Sequence, residues 1–191
     1  MYERLAAHWV YGGFLASFLL IALVPTLLAP AWSIDLLAVY LLLPIYMLHQ
    51  YEEHERDRFR RYFNDTVGRG QDALTAKAVF LINVPGVWGL MVVSILLTRF
   101  VSPGFGLIAV YSTLLNALVH IGAAIAGRAY NPGLWTAVVL FLPASVFALV
   151  EVARTGDATW PAHAFGLCVG VAIHAAIFGF AHARAARMTG S

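Results

Sequence analysis

Apolar runs of about 20 residues recur along this chain, and a helix needs a run of that length to cross a hydrocarbon layer ~30 Å thick. They fall at 9–29, 34–53, 76–97, 105–126, 132–153 and 161–183. Pro30 and Asp35 break the first pair, "SPGFG" at 102–106 supplies a turn, and "TGDATWP" links the last two. "RAYNPG" at 128–133 stops the fourth run, with Pro132 suited to the first turn of the fifth. Of the 191 residues 61% are hydrophobic and 12% charged, against near half and about a quarter in soluble chains, so little mass is left outside lipid. The expectation is an all-α, six-span transmembrane helical bundle, with residues 1–191 forming one integral membrane domain. Ala29-Pro30-Ala31 is similar to a signal-peptide cleavage site. The run from Trp9 to Leu28 nevertheless exceeds a signal core of about 7–15 residues, so it is read as a membrane helix.

Charge then sets the orientation. With six spans, every Lys and Arg except Arg99 and Arg154 lies on one side: Arg4, the cluster from Arg56 to Lys77, Arg128, Arg184 and Arg187. Basic residues favour the cytoplasm, so both termini are expected there, in a multi-pass protein of the cell (inner) membrane. The segment 55–75 becomes a cytoplasmic loop. Within it, "ERDRFRRYFND" is either solvated or lies along the inner leaflet with Phe59, Tyr62 and Phe63 in lipid. A net charge of +2 gives no reason to expect nucleic acid as a partner. Cys168 is the sole cysteine, which excludes an intrachain disulfide and a cysteine metal cluster.

Polar groups inside a membrane are costly, so their depth is informative. His49, Glu52 and Glu53 close the second span in "HQYEEH", at the cytoplasmic end. His8, Asn83, Asn116, His120, Tyr130, Asn131 and His174 fall toward that same leaflet. Asp35, Glu151, Asp157 and His163 lie near the opposite face, where hydration suffices. At about 100° per residue His49, Glu52 and Glu53 occupy one arc of their helix, and Asn116 and His120, four apart, share a face of theirs.

Adjacent carboxylates in low dielectric cannot both stay charged cheaply, and a divalent cation resolves the conflict. Imidazole and carboxylate ligands suit zinc first, with iron and manganese as alternatives. The order His-x-x-Glu-Glu is close to the inverzincin arrangement, which makes His49 and Glu53 ligands and Glu52 the general base. His120 supplies the third ligand, leaving a position for water. Asn116, His174, Asn83, Tyr130 and Asn131 are further ligands or orienting groups. Three of these have plainer readings: Asn83 beside Pro85 satisfies freed carbonyls, and Tyr130 and Asn131 form a helix-start turn. His54 and His182 are placed at the water line as anchors, and His8 is the weakest candidate.

"HQYEEH", "NALVH" at 116–120 and "YNPGLWTA" at 130–137, followed by "LP" at 142, resemble the HXXEE-motif family of small multi-span membrane proteins. The resemblance supports His49, Glu52 and Glu53 as defining residues and supplies no substrate. From the residues, the leading expectation is a membrane-embedded, metal-dependent enzyme of hydrolytic type. Its partners would be the bilayer and a lipid or other hydrophobic small-molecule substrate. The alternatives are a metal-ion or proton-coupled transporter, a non-haem iron oxidoreductase, and a structural protein. The small residues of "HIGAAIAG" at 120–127 and "GLCVGVAIHAAIFGFA" at 166–181 permit close packing, either inside the bundle or at a homodimer contact.

Overall fold

The computed structural model describes residues 2–189. Among them all regular structure is helical, and six helices are long and apolar enough to cross a membrane. They run Glu3–Thr26, Ile34–Thr66, Ala76–Phe100, Pro103–Gly127, Leu134–Arg154 and Trp160–Met188, close to the expected spans. The second of these stretches breaks after His54, where Arg56 and Asp57 take positive φ, and resumes as a short helix at Arg58–Thr66.

The second span is the hub. It packs on the first, third, fourth and fifth, and 61% of its most apolar window is buried within the bundle. Its buried residues Val39, Leu42 and Leu43 meet Met91, Leu107, Val110, Phe141 and Val152 from three neighbours. In lipid such contacts stabilise through close packing and internal hydrogen bonds, since leaving lipid yields no hydrophobic gain. Tyr40 reaches the Leu20 carbonyl at 3.0 Å to tie the second span to the first.

Proline shapes the spans. The first, third and fifth each contain a π-helical segment, at Val24–Leu28, Ile82–Trp88 and Ala137–Phe141, beside or containing Pro25, Pro85 and Pro143. A missing N–H loosens the helical ladder, and a single π turn is one way to absorb the fault. At the third span the fault is bridged from the second: Trp88 donates to Gln50 at 2.6 Å, and Gln50 donates to Asn83 at 2.8 Å. Asn83 in turn donates to the Val79 carbonyl at 2.9 Å, consistent with the carbonyl-satisfying reading.

The fourth and sixth spans touch closely at the end away from "HQYEEH". A Cβ on Gly166 would stand 2.7 Å from the Leu107 carbonyl, so only glycine permits that approach. Nearer the motif Gly122 and Gly127 meet nothing within 4 Å, so the 120–127 stripe leaves space there. The short helix Arg58–Thr66, the roof helix, closes this end. Phe63 is buried with Leu74, Val79 and Ala181, while Arg60 pairs with Asp57 and Asp72 on the outer side.

Candidate metal centre

The last turn of the second span carries the site. One turn of helix separates His49 from Glu53, so both point along the same face. That face meets His120 of the fourth span. His49 Nε2 lies 3.5 Å from one oxygen of Glu53, and His120 Nε2 lies 3.5 Å from the other. All three side chains are buried, and one ligand atom from each lies within 4.8 Å of the others. The edge of a tetrahedron around a metal with ligands at about 2.1 Å is about 3.4 Å, so this group could hold an ion with little rearrangement.

Hydrogen bonds fix which nitrogen each ring presents. Asn131 donates its amide to the His120 carbonyl at 2.8 Å, which turns its Oδ1 onto His120 Nδ1 at 2.7 Å. An amide oxygen only accepts, so Nδ1 carries the proton and, in the neutral ring, Nε2 keeps its lone pair. His49 is held by a parallel device. Thr136 donates its hydroxyl proton to Glu52 at 2.6 Å and therefore accepts from His49 Nδ1 at 2.8 Å. Two Nε2 lone pairs thus face a carboxylate. Acceptors set against acceptors repel unless positive charge lies between them, either a divalent cation or a proton on one Nε2.

Glu52 points elsewhere. Its oxygens accept from the Tyr130 hydroxyl (2.8 Å), the Trp135 N–H (3.2 Å), and the Thr136 N–H (2.7 Å) and hydroxyl. It caps the start of the fifth span, and four donors occupy the lone pairs that a general base would use. The cap is fed by the "YNPG" turn, where Gly133 has φ +99°. A Cβ there would sit 2.7 Å from His120 Cε1 and 2.8 Å from His49 Cε1, so the turn backbone lies directly against both imidazoles. Tyr130 stands outside the spans. Its phenol pKa is pushed up, first by partial burial and then by the bond to the Glu52 carboxylate.

Of the remaining candidates, Asn116 donates to the Tyr46 hydroxyl at 2.7 Å, one turn deeper than His120. His174 bonds the Gly170 carbonyl through Nδ1 at 2.8 Å and stays outside the three-residue group. His8 is exposed and rests near Tyr11, and His182 is exposed as well. His54, expected as a water-line anchor, is buried between Trp9 and Phe59, with Nε2 3.1 Å from Glu53. The roof helix shields it, which composition alone does not announce. Sequence reasoning passed over Thr136, Gly133 and Tyr46. Tyr46 had a signal, being three and seven residues before His49 and Glu53, on their face.

Glu53, His54, His120 and Asn131 line part of a partly open cavity of about 500 Å³, bounded by the third, fourth and sixth spans and the roof helix. On the other flank Phe141 covers His49 at a ring separation of 4.1 Å. The group is therefore sealed toward the bundle core and open toward the cavity.

A membrane-spanning helical bundle with a buried His–Glu–His group built on His-x-x-Glu-Glu is the class that fold and site define. Residues 40–148 match the family described as "Protein of unknown function with HXXEE motif", and the chain belongs to that family. No curated protein and no solved structure matches the chain.

Proposed function

We propose that this protein is a membrane-embedded, metal-dependent enzyme, hydrolytic in type, acting on a lipid or another hydrophobic small molecule. The observation that carries this reading is the pair of imidazoles whose Nε2 lone pairs are set by Asn131 and Thr136 onto one buried carboxylate at the mouth of an apolar cavity. His49, Glu53 and His120 form a His₂Glu donor set of the kind that holds catalytic zinc, and iron or manganese fit the same donors. A bound divalent ion would supply an activated water at neutral pH and polarise a substrate carbonyl. The chain's own residues hold the ligands and exclude bulk water. Asn131 and Thr136 fix the tautomers, and Glu52 is a positioning residue acting through Thr136, in place of the base that the motif order suggests.

The metal-ion or proton-coupled transporter is less well supported. Beyond the site, Tyr46, Phe141, Leu42 and Val110 form a largely apolar buried layer. Three of the ionisable groups at the far face are occupied locally: Glu151 with Arg154, Asp157 with Ser102, and His163 with Tyr111. We further place both termini, and so the cavity end, on the cytoplasmic side. A cysteine at Asp65 labelled only from outside the cell would reverse that orientation.

The test is elemental analysis of protein purified without an affinity-tag metal, wild type beside His49→Ala and His120→Ala. Near-stoichiometric zinc, iron or manganese in wild type, lost in both variants, is the expected result. Wild-type protein that takes up none of these ions, even when offered them after purification, refutes the metalloenzyme.

A further inference from the structure

The cavity beside the site has the size of a small-ligand chamber, and its mostly apolar lining narrows the substrate. Glu53, His54, His120 and Asn131 line it at the His–Glu–His group, Ile82, Val87, Ile173 and Ile177 give it apolar wall, and Asn83, Asn116 and His174 add isolated polar groups along that wall. The fourth span borders the chamber with the small residues Ala123, Ala126 and Gly127, and a Cβ at Gly127 meets nothing within 4 Å. One turn deeper than His120, the Asn116 amide bonds Tyr46 through its nitrogen while its buried Oδ1 has no partner. Either orientation of that amide leaves one polar position unmatched, and a buried polar group of this kind is satisfied by a ligand or is costly.

Volume decides between occupants. A helix about 10 Å across that rises 5.4 Å per turn would fit about one turn into 500 Å³, so a helix from a second copy is poorly accommodated. Chambers of about 300–1,000 Å³ with apolar walls and few polar groups are the usual size for one small ligand. We propose that this cavity holds the apolar tail of a single-chain amphiphile, its polar group resting at the Glu53–His120 end and hydrogen-bonding Asn116. The proposal deepens the enzyme reading, on which it rests for the chemistry at the polar end. The tail site itself stands on the cavity alone.

The test uses a long-chain fatty alcohol carrying a mid-chain diazirine, added to detergent-solubilised wild type, photolysed, and mapped by peptide mass spectrometry. Label is expected at Ile82, Val87 or Ile173, displaced by the unmodified alcohol. Ala123→Phe, which fills the chamber, should cut that labelling by about ten-fold or more, the scale on which pocket sterics discriminate. Ala126→Phe is the second variant should the first fail to fold. Metal content is measured on the same samples. Specific, blocked labelling in protein that takes up no metal even when offered it would uphold the tail site and sink the enzyme. Label spread over lipid-facing residues such as Leu118 and Ile125 and indifferent to either variant would overturn the tail site, whatever the metal content. Cross-linking of two copies through this face would overturn it too.

Discussion

Thr136→Val is the sharpest probe of how the site is held together. Valine keeps the shape of threonine, so packing against the π turn at Ala137–Phe141 is preserved while one hydroxyl is deleted. Two bonds go with it, the 2.8 Å contact from His49 Nδ1 and the 2.6 Å bond to Glu52. The losses are unequal. Glu52 still receives the Thr136 and Trp135 backbone N–H groups and the Tyr130 hydroxyl, so the cap survives. His49 is fully buried against Phe141 and has no other partner for Nδ1, so its proton is left unsatisfied at a cost of about 1–3 kcal/mol. The ring can escape by moving that proton to Nε2, beside Glu53. That tautomer removes the lone pair a metal needs.

The expected effect is therefore a loss of metal affinity of about 10–100-fold, the range found when groups orienting metal-bound histidines are removed. Competition titration against a zinc chelator, with the apo-protein in detergent, measures it directly. Thr136→Ser keeps the hydroxyl and should remain near wild type. If Thr136→Val binds as tightly as Thr136→Ser, the hydroxyl does not set the ring, and the relay from Glu52 through Thr136 to His49 is wrong.

Three further outcomes follow from the same geometry. Gly133→Ala combines φ +99° with a Cβ under 3 Å from both imidazoles, so it should lower stability by about 1–3 kcal/mol and abolish metal uptake together; unchanged melting with full metal content would contradict it. Gln50→Leu strands Trp88 and Asn83 without touching the ligands, so thermal unfolding should report a loss of about 1–3 kcal/mol while metal content holds. Tyr130 has its folded phenol pKa raised, so whatever stability its bond to Glu52 contributes is complete below the unfolded value of about 10 and fades as pH climbs through the folded value. An ultraviolet titration of wild type minus Tyr130→Phe should show one tyrosine ionising above that range, and a normal titration would refute it.

The parts of this structure that obey a period were legible in sequence. Six apolar runs became six long helices. His49 and Glu53, four apart, and His120, four beyond Asn116, did converge, because i,i+4 spacing fixes direction whatever the partner. The same geometry explains where Glu52 parted from Glu53. Adjacent residues differ by about 100°, enough to send one carboxylate to the fourth span and the other to the start of the fifth. The motif order gave the two different roles, base and ligand, but set both at the same centre. Thr136 and Gly133 were illegible for a different reason: neither carries charge, and each matters only because the "YNPG" turn folds back across the second span. A polar turn that must start a helix beside a buried carboxylate is the signal that was there to use.

The division between Glu52 and Glu53 also accounts for both glutamates standing together. A single carboxylate among two neutral imidazoles can serve as ligand, but the Asn131 bonds to His120 would then be left to hold the turn that keeps Gly133 against both rings without a carboxylate behind it. Glu52 supplies that backing by gathering three donors from the first turn of the fifth span and the Tyr130 hydroxyl from the turn before it, and one of the four is the hydroxyl that orients His49. Capping the helix and selecting the imidazole tautomer are thus one set of hydrogen bonds. Shortening Glu52 to aspartate, which keeps the charge, withdraws the carboxylate from all four donors and should disturb His49 as much as it disturbs the cap. The motif needs two adjacent glutamates because one faces the site and the other builds the wall behind it.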